Sequence, residues 1–281
     1  MEFIEFIEQA LHEDIQDGDH STLACIPADA RGKALLKIKE AGIIAGIDIA
    51  KQIFKHLDPQ AQMEVWLKDG QMVKPGDQAF EIQTSVHNIL KAERLVLNIM
   101  QRMSGIASLT RKYVDQIADL PSKLLDTRKT TPNFRWFEKR AVLIGGGFNH
   151  RMGLYDMIML KDNHIDYCGG IEQAILKTNQ YLKDKNLSLQ IEIEARTLED
   201  VKTILEVGQV HRIMLDNFSV SLLKEAVEII GGQYETEASG GITIESIRSY
   251  AETGVDFISA GAIIHHAVSM DLSLKAIKNQ G

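Results

Sequence analysis

From residue 123 onward, short apolar runs alternate with amphipathic segments of helical period. The runs are KLLDT (123–127), DMIMLKD (156–162), LQIEIEA (189–195), RIMLDN (212–217), YETEAS (234–239) and DFISAG (256–261). Runs of this length between turn residues read as strands. The segments between them, such as TLEDVKTILEVG and VSLLKEAVEIIGG, open beside Ser or Thr and close on Gly, as capped helices do. Strands alternating with helices in this way build right-handed βαβ units around a parallel sheet. Six units wrapping round fall short of the usual eight, so an open TIM-like α/β barrel is expected.

The chain before this region follows another rhythm. AGIIAGIDIAKQIFKHL reads as a loop leading into a helix, and MEVWLKDGQMVKPGDQAFEIQTS as antiparallel strands around two turns. NILKAERLVLNIMQRMSGIASLTRKYVDQI reads as a long helix with a candidate break at Gly105. A sandwich-like accessory domain is the expectation. The DGQMVKPGD hairpin also suggests a lipoyl or biotinyl carrier, but such modules present a Lys beside a Met at the tip, and that dipeptide is missing.

Composition narrows the function classes. The 281 residues are 44% hydrophobic and 25% charged, with a formal net charge of -8, which speaks against a nucleic-acid binder. MEFIEFIEQALHED lacks the basic start and apolar run of a secretory leader, and no apolar stretch is long enough for a bilayer. Cys25 and Cys168 form no CxxC pair, so neither a disulfide framework nor a zinc site is indicated. A cytoplasmic protein that touches no membrane is expected.

Against that acidic background, the stretch from Asp126 to His164 gathers Arg128, Lys129, Arg151, Lys161 and two histidines. Lys129, Lys161, Glu194, Asp216, Ser239 and Gly261 all fall at C-terminal ends of expected strands, which converge on one mouth in a barrel. In DTRKTTP, Thr131 and Pro132 read as N-cap and first helical residue, leaving Arg128 and Lys129 in the loop at the strand end. Gly145 to Gly147 are expected at a helix end, letting His150 and Arg151 face the site; Arg offers a fork that matches a carboxylate. Glu194 and Asp216, among so many cations, suit a metal, phosphate or sugar-hydroxyl role better than that of a raised-pKa acid. Glu192 is assigned to the opposite face of its strand. Ser239, Gly240, Gly241 and Gly261 form small-residue turns suited to holding a phosphate by backbone N–H groups, and His265 and His266 follow as helix residues near it.

HEDIQDGDHST, QRMSGIAS, DTRKTTP, GGGFNHRMGLYD, KDNH, EIEA, LDNF and EASGGI together resemble, in order and over nearly the whole chain, the quinolinate phosphoribosyltransferase family, the decarboxylating nicotinate-nucleotide pyrophosphorylases. The resemblance implies an N-terminal α/β sandwich domain of residues 1–112, joined by about 269–281, and an open α/β barrel of residues 113–268. It implies quinolinate and phosphoribosyl pyrophosphate as substrates, Mg²⁺ as cofactor, and nicotinate mononucleotide, pyrophosphate and CO₂ as products. It also implies a homodimer with shared sites, with any higher assembly left open. Carried over residue by residue, Arg102 reaches the neighbouring subunit's site, and Arg128, Lys129, His150, Arg151 and Lys161 line the pocket. Glu194 and Asp216 face the ribose and the metal, the latter indirectly through water or substrate. Ser239, Gly240, Gly241 and Gly261 hold a phosphate, and Lys129, Lys161, Glu194 and Asp216 are the catalytic candidates. Asn133 stands where the family usually has Gly, and GQVHRIMLD is one residue longer than usual. Two alternatives are a phosphoribosyltransferase-like protein associated with molybdate transport, which shares the fold and a DTRKT-like motif, and a non-catalytic anion-binding or carrier module. The full TRKTTP, NHRMGLYD and KDNH set favours the quinolinate enzymes.

Overall fold

The computed structural model describes residues 3–277. In chain order the first elements are α1 (Phe3–Ile15), α2 (His20–Cys25), β1 (Arg31–Ile38), β2 (Gly42–Ile43), α3 (Ile47–Leu57), β3 (Gln62–Val65), β4 (Met72–Val73), β5 (Gln78–Ser85) and α4 (Val86–Gln116). Then come β6 (Lys123–Leu125), α5 (Arg135–Gly145), β7 (Ile158–Leu160), α6 (Asp162–Cys168), α7 (Ile171–Lys185), β8 (Ile191–Ala195), α8 (Leu198–Val207) and β9 (Arg212–Asp216). The last are α9 (Val220–Ile230), β10 (Glu235–Ser239), α10 (Ile247–Ala251), β11 (Phe257–Ser259), α11 (Ala262–His265) and β12 (Leu272–Ile277). They fall into two compact units: residues 1–111, 131–146 and 266–281 form one, and residues 112–130 and 147–265 the other.

The first unit is built on an antiparallel sheet of order β12-β1-β5-β3. Ala34, Leu36 and Ile38 of β1 are buried and alternate with wetter neighbours, so one face of the strand supplies core. β12 returns to pair with β1, from Lys33 opposite Ile277 to Ile38 opposite Leu272. Residues 278–281 of the expected C-terminal return lie outside the described residues. The stretch expected to fold around two turns divides: β3 pairs with β5, whereas β4 pairs with β2. The long helix α4 runs unbroken through Gly105. This glycine serves close packing instead of a kink, because a Cβ there would lie 2.0 Å from the carbonyl oxygen of Val268. Backbone cannot yield as a flexible side chain does, so Gly105→Ala is expected to destabilise by roughly 3 kcal/mol, although Ala is the better helix former. Denaturant unfolding of the two proteins measures it.

Helix α5 belongs to this unit because of its aromatic face. The Phe137 ring lies 4.7 Å from Phe6 of α1 and 4.6 Å from Phe134, centroid to centroid. This grouping differs from the expected division at residue 112, which placed 131–146 in the barrel. The helix also starts later than Thr131. Its N-cap is Phe134, and Asn133 adopts a left-handed φ of 60°. Asn tolerates that region better than most residues, which accounts for its standing where Gly is usual. The Thr131 hydroxyl is unavailable as a cap because it bonds Glu138 Oε1 at 3.0 Å.

The second unit holds six parallel strands in the order β6-β11-β10-β9-β8-β7, each inside an expected run. β6 and β7 are the two ends of this sheet, with a single bridge from Leu125 to Phe148 extending beyond β6, so the barrel is open. Its helices are capped as expected. Thr197 accepts from the Asp200 N–H at 3.1 Å, Ser219 from the Leu222 N–H at 3.4 Å, and Gly208 and Gly231 close α8 and α9. The long GQVHRIMLD segment is absorbed in the loop before β9, where Gln209 takes a φ of 58°. The β8–β9 register continues regularly from Glu192 opposite Arg212 to Ala195 opposite Leu215. No helix of the described residues is long and apolar enough to cross a membrane.

Candidate active site

The C-terminal ends of the second unit's strands carry the site. Glu194 is the penultimate residue of β8; its Oε1 lies 3.3 Å from Lys161 Nζ and its Oε2 accepts the Asp162 N–H at 2.8 Å. Lys161 itself caps α6, with the His164 ring accepting its N–H at 3.0 Å. Asp216 ends β9 opposite Ser239 of β10, and its Oδ2 accepts from Asn217 at 2.6 Å. Asn217 also ties the two strand ends, donating its N–H to Ser239 O at 2.8 Å. Gly240 and Gly241 turn with φ of 102° and 61°, and a Cβ on Gly240 would lie 2.2 Å from Asn217 Oδ1. Beside Gly261 passes the Lys129 chain, whose Cδ would be 3.0 Å from an added Cβ. Lys129, Lys161, Glu194, Asp216, Ser239, Gly240, Gly241 and Gly261 thus all stand at strand ends of one barrel.

Arg128 and Arg151 make the second part of the site. Burial and then the neighbouring Arg128 charge lower the Arg151 pKa, and Arg151 Nη1 donates to Met157 O at 3.1 Å. Arg128 Nε is buried and meets no hydrogen-bond partner among the described residues. Two like charges held together, with a buried donor left over, describe half of an interaction.

One layer deeper lies a cluster that the sequence reading missed. Glu192 does not face the opposite side of β8, because residues two apart on a strand share a face. It is fully buried in the same interior as Glu194, as is Glu237 of β10. Glu192 Oε2 comes to 2.9 Å and Glu237 Oε2 to 3.3 Å from His150 Nε2. Both approach that nitrogen obliquely, so the attraction is electrostatic more than a directed hydrogen bond. Arg212 Nη1 is 3.2 Å from Glu237 Oε2. His150 is further anchored through its backbone N–H, which donates to the buried Asp126 Oδ1 at 2.9 Å, and through Nδ1, which accepts the Arg151 N–H at 2.6 Å. Both ring nitrogens are therefore engaged by the protein. The ligand atoms of His150, Glu192 and Glu237 lie within 4.8 Å of one another, a spacing that suits a metal ion. Arg212 already supplies positive charge there, and a proton balances the second carboxylate.

Burial works against charge on His150, but Glu192 and Glu237 outweigh it and raise its pKa to about 9. Burial and the Glu237 charge push Glu192 up to about 7, while Glu237, buried too, is held low by His150 and Ser259. A bare Nδ1 facing the Arg151 N–H means the extra proton belongs to the cluster as a whole, not to that nitrogen. Folded, the cluster keeps its proton to about pH 9, whereas an unfolded histidine releases it near 6.5. That stability is fully present below pH 6.5 and is lost as pH rises through about 9, on the order of 3 kcal/mol over the window. Glu192 acts in the same direction at lower pH. Denaturant midpoints across this range measure the slope, and Glu237→Gln, which removes the charge the proton balances, is expected to flatten it.

Arg102 lies on α4 in the first unit and is not a strand-end residue of the barrel. Its Nε and Nη2 donate to Glu138 Oε1 at 3.0 and 2.8 Å, and Nη1 donates to Ala267 O at 2.8 Å. Glu138, fully buried on α5, also accepts the Thr131 N–H at 2.8 Å through Oε2. Glu138 had no motif to reveal it. Glu192 and Glu237 did leave a signal, since charged residues in the middle of buried strands need partners.

A family model described as quinolinate phosphoribosyl transferase, C-terminal domain, matches residues 106–275, and its N-terminal counterpart matches residues 19–104. The chain is 47% identical over 284 residues to the chloroplastic nicotinate-nucleotide pyrophosphorylase (carboxylating) of Arabidopsis thaliana, covering 96% of this chain and 81% of that protein. The crystal structure of NadC from Streptococcus pyogenes matches with a TM-score of 0.92 and 37% identity, covering 98% of this chain and 97% of that one. The nicotinate-nucleotide pyrophosphorylase of Ehrlichia chaffeensis matches with a TM-score of 0.91 and 35% identity, covering 99% of each. The molybdate-associated alternative draws no support from these matches. With both domain models matched in order along a fold of two compact units, the chain belongs to the quinolinate phosphoribosyl transferase family.

Proposed function

We infer that the chain transfers the phosphoribosyl group of phosphoribosyl pyrophosphate to quinolinate with loss of CO₂, giving nicotinate mononucleotide and pyrophosphate. Within the site, the observation that carries this reading is the Arg128–Arg151 pair with its unpartnered buried Nε. Quinolinate is a planar dianion with adjacent carboxylates, and two guanidinium forks match it better than point charges do. Lys129 and Lys161, more exposed, suit the pyrophosphate end of the second substrate. Ser239, Gly240, Gly241 and Gly261 offer backbone N–H groups for its other phosphate.

The reaction needs no protein nucleophile. The pyridine nitrogen attacks the anomeric carbon as the carbon–oxygen bond to pyrophosphate breaks, through a state with oxocarbenium character. Glu194 and Asp216 face the ribose in that state, and the lysines counter the charge growing on the leaving group. The alkylated nitrogen, now positive, accepts the electron pair freed when the adjacent carbon–carboxylate bond breaks. CO₂ leaves and that carbon takes up a proton. Positioning and electrostatics supply the rate.

Mg²⁺ fits the oxygen donors here, which are the type a hard cation prefers. Glu194 spends both oxygens on Lys161 and the Asp162 N–H, which favours contact through water or substrate. Bound, Mg²⁺ supplies positive charge for the pyrophosphate. The homodimer with shared sites is part of the same proposal. It is supported by the resemblance to the family and by Arg102, a motif residue that belongs to the first unit and not to the barrel. A cytoplasmic setting is supported by two free cysteines, Cys25 and Cys168. Incubation with quinolinate, phosphoribosyl pyrophosphate and Mg²⁺ tests the function: CO₂ and pyrophosphate should appear together, one to one. Pyrophosphate release without quinolinate-dependent CO₂ would refute it.

A further inference from the structure

His150 is a residue expected to line the substrate pocket, yet both its ring nitrogens are already engaged by the chain. Two carboxylates from different strands, β8 and β10, converge on Nε2, and neither has any exposed surface. Neither can touch a substrate. Nor does stability call for them, because burying two carboxylates is expensive and apolar side chains of similar size would fill the space at less cost. What the pair achieves is orientation. With Nε2 held between them, the ring cannot turn over without placing its other edge against two negative charges. Its Nδ1 is thereby directed at the Arg151 N–H, while Asp126 fixes the His150 N–H from the other side. The guanidinium of Arg151 is reached from this fixed backbone, and its Nη1 is tied to Met157 O.

We propose that Glu192 and Glu237 are positioning residues of the transfer reaction, holding the His150 ring so that it sets the Arg151 backbone and presents the Arg151 fork to a carboxylate of the substrate. This rests on the reading of Arg151 as a quinolinate-binding residue. The influence passes from Glu192 and Glu237 to Nε2, from Nδ1 to the Arg151 N–H, and so to the guanidinium. A misdirected fork loses affinity for the carboxylate, whereas Ser239, Gly240, Gly241 and Gly261 of the phosphoribosyl end do not lie on this path.

Glu192→Gln and Glu237→Gln keep the size and lose the charge that holds Nε2. Each is expected to raise KM for quinolinate roughly tenfold or more, with a fall in kcat as the ring angle loosens and KM for phosphoribosyl pyrophosphate changed far less. In an Arg151→Lys background the same substitutions should add little, because the fork they aim has gone. Equal losses for both substrates, or full additivity with Arg151→Lys, would assign the carboxylates a merely structural role and overturn the proposal. Unchanged KM for quinolinate in both variants would overturn it as well. Should a Gln variant not fold, Glu192→Asp, still charged but one methylene short, takes its place, with a smaller KM rise expected and an unchanged KM counting against. The wild-type protein run alongside separates the two readings: if it does not consume quinolinate, the proposed function fails. If it does and the variants match it, only the positioning role fails.

Discussion

Arg151→Lys is expected to lower kcat/KM for quinolinate by roughly 10²-fold or more while the protein stays folded. The guanidinium already commits Nη1 to Met157 O, so one group both braces itself on the barrel and offers a second edge to a ligand. A lysine ammonium is a single point and cannot do both in plane. Arg128 sharpens the effect. The two guanidiniums repel each other, and a bidentate anion relieves that repulsion in both at once. With lysine in place, the remaining charge attracts a carboxylate without fixing the angle of the pyridine ring. The ring nitrogen then meets the anomeric carbon less often in line, so kcat falls along with affinity. Steady-state kinetics with quinolinate varied at saturating phosphoribosyl pyrophosphate measure the change. Near-normal values would remove Arg151 from the quinolinate site.

Most of the barrel was legible because its strands are short apolar runs separated by well-signalled caps, and all six formed inside those runs. The strand-end residues were legible for the same reason, since a parallel strand places its last residues at the mouth by geometry alone. The misreadings have local causes. Thr131 looked like an N-cap, but its hydroxyl is taken by a carboxylate seven residues on, which no local pattern reveals. Gly105 looked like a break, but the glycine answers to the Val268 backbone, more than 160 residues away. Glu192 was set on the wrong face, although the two-residue period of a strand suffices to place it beside Glu194. Glu237 and Asp126 needed the third dimension, because their common partner, His150, comes from a loop between other elements.

Arg102→Ala is expected to abolish activity, and the loss should be recoverable by mixing subunits. On the proposal of shared sites, the arginine of one subunit serves the barrel of its neighbour. Within its own chain it is braced by Glu138 and Ala267 O, a fixed mounting for a group that acts elsewhere. Removing it strands a fully buried carboxylate, a defect worth about 3–5 kcal/mol, so inactivity alone would not separate misfolding from a missing ligand group. Arg102→Ala combined with Glu138→Gln removes that stranded charge and keeps the test clean. Folded but inactive dimers of this double variant are then exchanged with Lys161→Ala subunits, also inactive. In a symmetric dimer each mixed molecule holds one site with both defects and one site with neither. Random exchange makes half the dimers mixed, so about a quarter of wild-type activity should return. Mixed dimers verified by mass that remain inactive would refute sharing and return Arg102 to a purely internal role. Recovered activity would make the Arg102–Glu138–Thr131 contacts a physical link between neighbouring sites, because Thr131 follows directly on the Arg128–Lys129 loop of its own subunit.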